Sequence, residues 1–233
     1  MQKSDLSILQ LPLEILLEIK ACVPLSDLRT HVCLYNTHPS IAALYDSDKD
    51  ADRFWELCCW NCGIGAIWDD LDNGKPRWKN IALDTIARDG FCTHPQCGES
   101  LLDYNRQRMQ QVLNKHKEPI KPPVAWKNKE GRIIPVSLHR VLLAFQFGPS
   151  DDQASDMLGD CYLRADASTQ RPYEGSLLLR DHPLVYRSYA TDLPVKKIRL
   201  GPFDDFEVPG YNTTADGVSA VTVHDVLYYL YIE

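Results

Sequence analysis

No apolar run in this 233-residue chain approaches the ~18 to 20 residues that a membrane-crossing helix needs. A secretory leader is missing as well. Only Lys3 precedes the first apolar segment, Glu14 and Glu18 interrupt it, and no small-residue cleavage site follows. These absences predict a cytoplasmic or nuclear protein with no membrane partner. Positive charge is also scarce: 25 Lys and Arg against 32 Asp and Glu give a net charge of -7. That balance argues against nucleic acid as the main partner, because phosphate binding draws on a surplus of cations. The basic stretch from Lys115 to Arg132 reads as a solvated linker. The chain has no internal repeat and no low-complexity tract. It also lacks a Gly-x-Ser-x-Gly elbow, a His-Glu-x-x-His helix and a glycine-rich phosphate loop, so no enzymatic activity is expected. His182, in a turn between Asp181 and Pro183, and His224, in the first turn of the last helix, read as structural residues.

What is present is an ordinary globular composition, 44% hydrophobic and 24% charged, in a chain long enough to bury its own core. There are eight cysteines. In a reducing compartment these are buried residues, metal ligands or reactive groups before they are disulfides.

The first 60 residues read as short helices joined by tight turns. Pro12 suits the first turn of the opening helix. In "LPLEILLEIK" Glu14 and Glu18 share one narrow face and apolar residues occupy the rest, so two sides of this helix need covering. Pro24 breaks the helix, Ser26 is a plausible N-cap for the next, and Pro39 opens a third. "RFWELCCW" makes a fourth, residues 77–88 a fifth that stops at Gly90, and residues 99–116 a longer polar one. Pro119, Pro122 and Pro123 mark a boundary, after which "SLHRVLLAFQF" reads as an apolar helix. Beyond residue 150, "VKKIRL", "FEV" and "GVSAVTV" are strand-like. Thr222 and Asp225 form a capping-box start for the last helix, which runs close to Glu233, as though the sequence were cut short there. The fold expected is a mainly α N-terminal half with a small α+β C-terminal domain. Its divisions are residues 8–60, a helical extension over 61–118, a linker and helix over 119–150, and the α+β part over 151–233.

The order "LPLEILLEI…VPLSDLRTHVC…FW" resembles the F-box, a motif of three helices that docks on the Skp adaptor of a cullin-based ubiquitin ligase. The matching positions include Asp27 and Cys33, with Trp55 at the late aromatic position. Leu34, Tyr35 and Asn36 stand where many members carry basic residues and a Trp. The resemblance implies an adaptor-binding surface on Leu11, Pro12, Ile15, Leu16 and Ile19 of the first helix. It adds Pro24, Leu25, Leu28 and Val32 from the turn and second helix. At the other end, "DHPLVYRSYATDLPVKKIRL…VTVHDVLYYLY" resembles a domain of unknown function from fungal proteins, which implies strands with packed helices and no agreed activity.

The cysteines add one chemical expectation. Cys59 and Cys62 form a C-x-x-C pair, and Cys92 and Cys97 flank His94 about thirty residues later. Thiolates and imidazole are ligands that zinc prefers, so these five residues could supply one structural zinc site. The same residues also suit a reduced, buried cluster beside Phe54 and Trp55. The function expected is a substrate-recognition adaptor that links a Skp-family protein and its cullin to an unidentified protein target. The alternative is a stand-alone interaction or structural protein whose N-terminal helices close its own core, with or without zinc.

Overall fold

The computed structural model describes residues 10–47, 50–72, 75–115, 137–147, 161–164, 177–192, 194–195, 197–199, 207–209 and 220–232. The expected linker over 119–136 and the first three residues of "GVSAVTV" lie outside these residues. The N-terminal half is helical: α1 (Leu13–Cys22), α2 (Leu28–Thr37), α3 (Pro39–Asp46) and α4 (Ala51–Asn61), then α5 (Trp78–Asp89) and α6 (Gly98–Lys115). A 3-10 turn at Trp68–Asp70 and the paired β1 (Leu71–Asp72) and β2 (Lys75–Pro76) separate α4 from α5. Local chemistry sets several of these boundaries. Asp27, and not Ser26, caps α2, its Oδ1 accepting from the Thr30 N–H at 3.2 Å. Pro39 takes the first position of α3, behind a His38 cap whose Nδ1 accepts from the Ser40 N–H.

The C-terminal part is small and mixed. β3 (Phe145–Phe147), β4 (Cys161–Leu163) and β5 (Leu177–Leu178) form a three-stranded antiparallel sheet, with Phe145 opposite Leu163 and Tyr162 opposite Leu178. α7 (Pro183–Arg187) follows, then the hairpin-like pair β6 (Lys197–Arg199) and β7 (Glu207–Pro209), and last α8 (Val223–Ile232). The apolar run expected as one helix at 137–147 is instead a 3-10 turn at Arg140–Leu143 followed by β3. Its periodicity fits either state, and pairing with β4 decides between them. The capping box forms: the Thr222 N–H donates to Asp225 Oδ2 at 2.8 Å, and the Asp225 N–H to Thr222 Oγ1 at 3.3 Å. It starts α8 directly, so Thr222 makes only an isolated bridge to Tyr189 and not a strand. Among the described residues no helix is long and apolar enough to cross a membrane.

One buried apolar cluster runs from Leu28 to Leu227, across the boundary expected near residue 118. Trp55, fully buried, stacks on Tyr45 and meets Phe54 and Tyr35 edge-on. The halves are joined through residues 187–192. The Tyr189 N–H donates to the Gly63 carbonyl and the Gly65 N–H to that of Arg187. The His139 N–H donates to the Ala190 carbonyl, and the Val223 N–H to that of Ser188. Beside this junction Arg187, buried, donates from Nε to Asp70 Oδ2 at 2.9 Å and from Nη1 to the Tyr186 hydroxyl at 2.9 Å.

Polar groups close the same region. His139 Nε2 lies 2.8 Å from Asn105 Oδ1, and its Nδ1 accepts from the Val141 N–H, so the ring is neutral with its proton on Nε2. Asn105 Nδ2 donates to Ser188 Oγ, which donates to the Leu184 carbonyl. Burial, reinforced by the charges of Arg108 and Arg140, holds the His139 pKa well below the usual histidine range; burial also lowers that of His31. Below the ordinary value of ~6.5 the unfolded chain takes up protons that the folded chain refuses. Stability is therefore full above that pH and falls as the pH drops from it, by up to about 1.4 kcal/mol per pH unit for each histidine. Urea unfolding at about pH 7.5 and about pH 5.5 is expected to differ by about 2 kcal/mol, the acid value being lower.

Candidate functional site

α1 is the one α-helix of the N-terminal half from α1 to α5 that has no buried residue. Its inner side, Leu16, Ile19 and Lys20, lies over α2 and α3. Lys20 donates from Nζ to the Leu44 carbonyl at 3.1 Å and rests over the rings of Tyr45 and Phe54. At ~100° per residue, Glu14 and Glu18 lie opposite that side. Leu13 and Leu17 flank the acidic ridge on one edge, Ile15 and Cys22 on the other. Leu13 is 54%, Leu17 44% and Ile15 40% exposed, and Leu25 in the following turn is 37% exposed.

The surface expected from the F-box resemblance is only partly available. Pro12, Ile15, Pro24 and Leu25 are exposed, and Leu11, Leu16 and Ile19 are half-buried. Leu28 and Val32 are 1% and 2% exposed and belong to the chain's own core, so a docked partner would not reach them. They sit on the inward side of α2, within the main buried cluster. Leu13 and Leu17 are missing from the expected set, although their spacing of four already placed them on one face.

The expected metal ligands separate into two groups. Cys59 and Cys62 are fully buried at the end of α4. The Cys62 thiol donates to the Ser26 carbonyl at 3.2 Å, and burial pushes its pKa up to about 12. Burial raises Cys59 as well, so both are neutral core thiols. His94 is not among the clustered donors, and its Nδ1 accepts from the Gln96 N–H. Cys92 and Cys97 do come together, and a third donor joins them from 85 residues further on. One donor atom each from Cys92, Cys97 and His182 lie within 4.8 Å of one another, a cluster that could hold a metal ion. His182 Nδ1 is 3.5 Å from Cys97 Sγ. Burial, and then the charge of Asp89, push the Cys97 pKa far up, which keeps the thiol protonated until a cation replaces its proton.

The backbone fixes this arrangement. Gly90 ends α5, the Cys92 N–H donates to the Asp89 carbonyl, and the Cys97 N–H to that of His94. Gly98 starts α6 with a positive φ of 51°, and a Cβ there would lie 1.9 Å from the Cys92 carbonyl oxygen. Only glycine lets the loop close on itself at this point. No spacing rule links residue 182 to residues 92 and 97, which is why the sequence alone assigned His182 to a turn.

Comparison with known proteins finds no family model, no curated protein and no solved structure that matches this chain.

Proposed function

We propose that this chain is a substrate-recognition adaptor that docks α1 on a Skp-family protein and brings a protein target to a cullin-based ubiquitin ligase. The observation that carries this reading is the exposure of Leu13, Ile15 and Leu17 on a helix with no buried residue. Three large apolar side chains left in water on one short helix lose the ~1.5 to 3 kcal/mol that burying each would return. A permanent partner recovers that energy, and the Leu-Pro opening names its class. The adaptor's activity is then proximity and needs no catalytic residue of its own. The test is co-expression of the full chain with a Skp-family adaptor, followed by size-exclusion chromatography. Co-elution at one-to-one stoichiometry is expected; a folded chain that elutes alone would overturn the reading.

We read the ion suited to the Cys92, Cys97 and His182 cluster as structural zinc. Two thiolates and an imidazole are a soft, tetrahedral donor set, in contrast to the oxygen donors that magnesium or calcium require.

A further inference from the structure

We propose that Cys92 and Cys97 form a reversible disulfide when the metal-free chain meets a peroxide, with Cys92 reacting first and Cys97 resolving it. The inference stands apart from the zinc reading, because it concerns the same two thiols with no ion on them.

A redox pair needs two sulfurs that are already neighbours, one of them within reach of solvent and the other waiting beside it. Sγ of Cys92 and Sγ of Cys97 lie within 4.8 Å of each other. Rotation about the side-chain bonds has to close that gap to the ~2.05 Å of a disulfide. The backbone between them is already folded back, since the Cys92 carbonyl lies against Gly98, the residue that follows Cys97. Exposure differs in the required sense: Cys92 is half-buried, whereas Cys97 has no exposed surface. Cys58, Cys59 and Cys62 are close in sequence but enclosed in the core, where an oxidant does not reach.

The chemistry balances with one peroxide. The Cys92 thiolate attacks an oxygen of hydrogen peroxide, the O–O bond breaks, hydroxide leaves, and Cys92 becomes a sulfenic acid. The Cys97 sulfur then bonds to the Cys92 sulfur, the S–O bond breaks, and the hydroxyl departs with the Cys97 proton as water. Counting the proton that Cys92 gave up, two thiols lose two electrons and two protons, and one peroxide becomes two waters. Burial keeps Cys97 a protonated thiol and so out of the first step. Exchange with a dithiol reverses the product. The disulfide removes two of the three clustered donors, which excludes an ion from this site while it lasts.

Hydrogen peroxide is the probe, added to the reduced full chain in the presence of a chelator, followed by alkylation and tryptic digestion. One peptide, residues 89–106, carries both cysteines. It is expected to become lighter by two hydrogens and to resist alkylation, and dithiothreitol to restore both thiols. Cys97→Ala is expected to leave Cys92 as a sulfenic acid that dimedone traps, and Cys92→Ala to leave Cys97 reduced. Circular dichroism shows whether each variant is folded; if either is not, the wild-type peptide decides alone. A wild-type peptide that still alkylates at both cysteines would overturn the proposal, as would Cys92 oxidised to sulfinic acid beside an untouched Cys97. Because the chelator keeps metal out, either result leaves the zinc reading standing, and failure of the chain to bind zinc leaves the disulfide standing.

Discussion

Replacing Leu13, Ile15 and Leu17 together with serine is expected to abolish capture of the Skp-family adaptor while leaving the chain folded. These three side chains hold little of the chain's own structure: each is at least 40% exposed, and the inner side of α1 rests on Leu16, Ile19 and Lys20. Exposed substitutions of this kind change stability little, and the lower helix propensity of serine adds only a few tenths of a kcal/mol per position, so the total cost is about 1 kcal/mol. In the proposed complex the same side chains would be apolar anchors on either side of the acidic ridge. Truncation of such anchors costs about 2 kcal/mol or more apiece, and the combined loss of roughly 6 kcal/mol weakens binding about ten-thousandfold. Pull-down and chromatography read the first quantity and a thermal melt the second. Loss of folding in the triple variant would instead assign α1 to the protein's own core.

The largest stability change is expected at Asp70. Its carboxylate holds Arg187 on two nitrogens, and both side chains are only 7% exposed. Asp70→Ala leaves a buried guanidinium whose other carboxylate neighbour, Asp84, lies 3.8 Å away and is itself 42% exposed. Removing one partner of a buried pair costs about 3 to 5 kcal/mol, which for a chain of this size lowers Tm by about 10 °C. The Ile67 N–H, which donates to Asp70 Oδ2 at 2.9 Å, also loses its acceptor. The double variant Asp70→Leu with Arg187→Met removes both charges and is expected to recover much of the loss. A melt of Asp70→Ala within about 2 °C of the wild type would show that the pair contributes little.

The sequence carries its local signals well. Gly90 stops α5, Pro39 opens α3, and Thr222 with Asp225 starts α8, because each acts on backbone groups within a few residues. The mainly α first half and the small antiparallel sheets after it follow from such signals added along the chain. Two features escape them. The 137–147 run turns from helix to strand because β4 supplies a pairing partner that periodicity cannot register. The metal-competent cluster depends on His182, which meets Cys92 and Cys97 only after α5, α6 and α7 have packed. Cys59 and Cys62 had the more persuasive spacing, yet they occupy the core, because the end of α4 faces inward. The outer ligands of a site built from distant segments leave no pattern to read.

The junction at residues 187–192 has a consequence for how the protein is made. Gly63, Gly65 and His139 find their backbone partners only when Arg187, Tyr189 and Ala190 have left the ribosome. Until then a nascent chain holds finished helices beside unpaired peptide groups and an uncovered apolar surface, which is the condition that recruits chaperones and invites aggregation. Contacts spanning more than a hundred residues also close slowly. Translation that stops before residue 187 therefore yields a product destined for quality control, while synthesis past that point supplies the partners on which the waiting helices close.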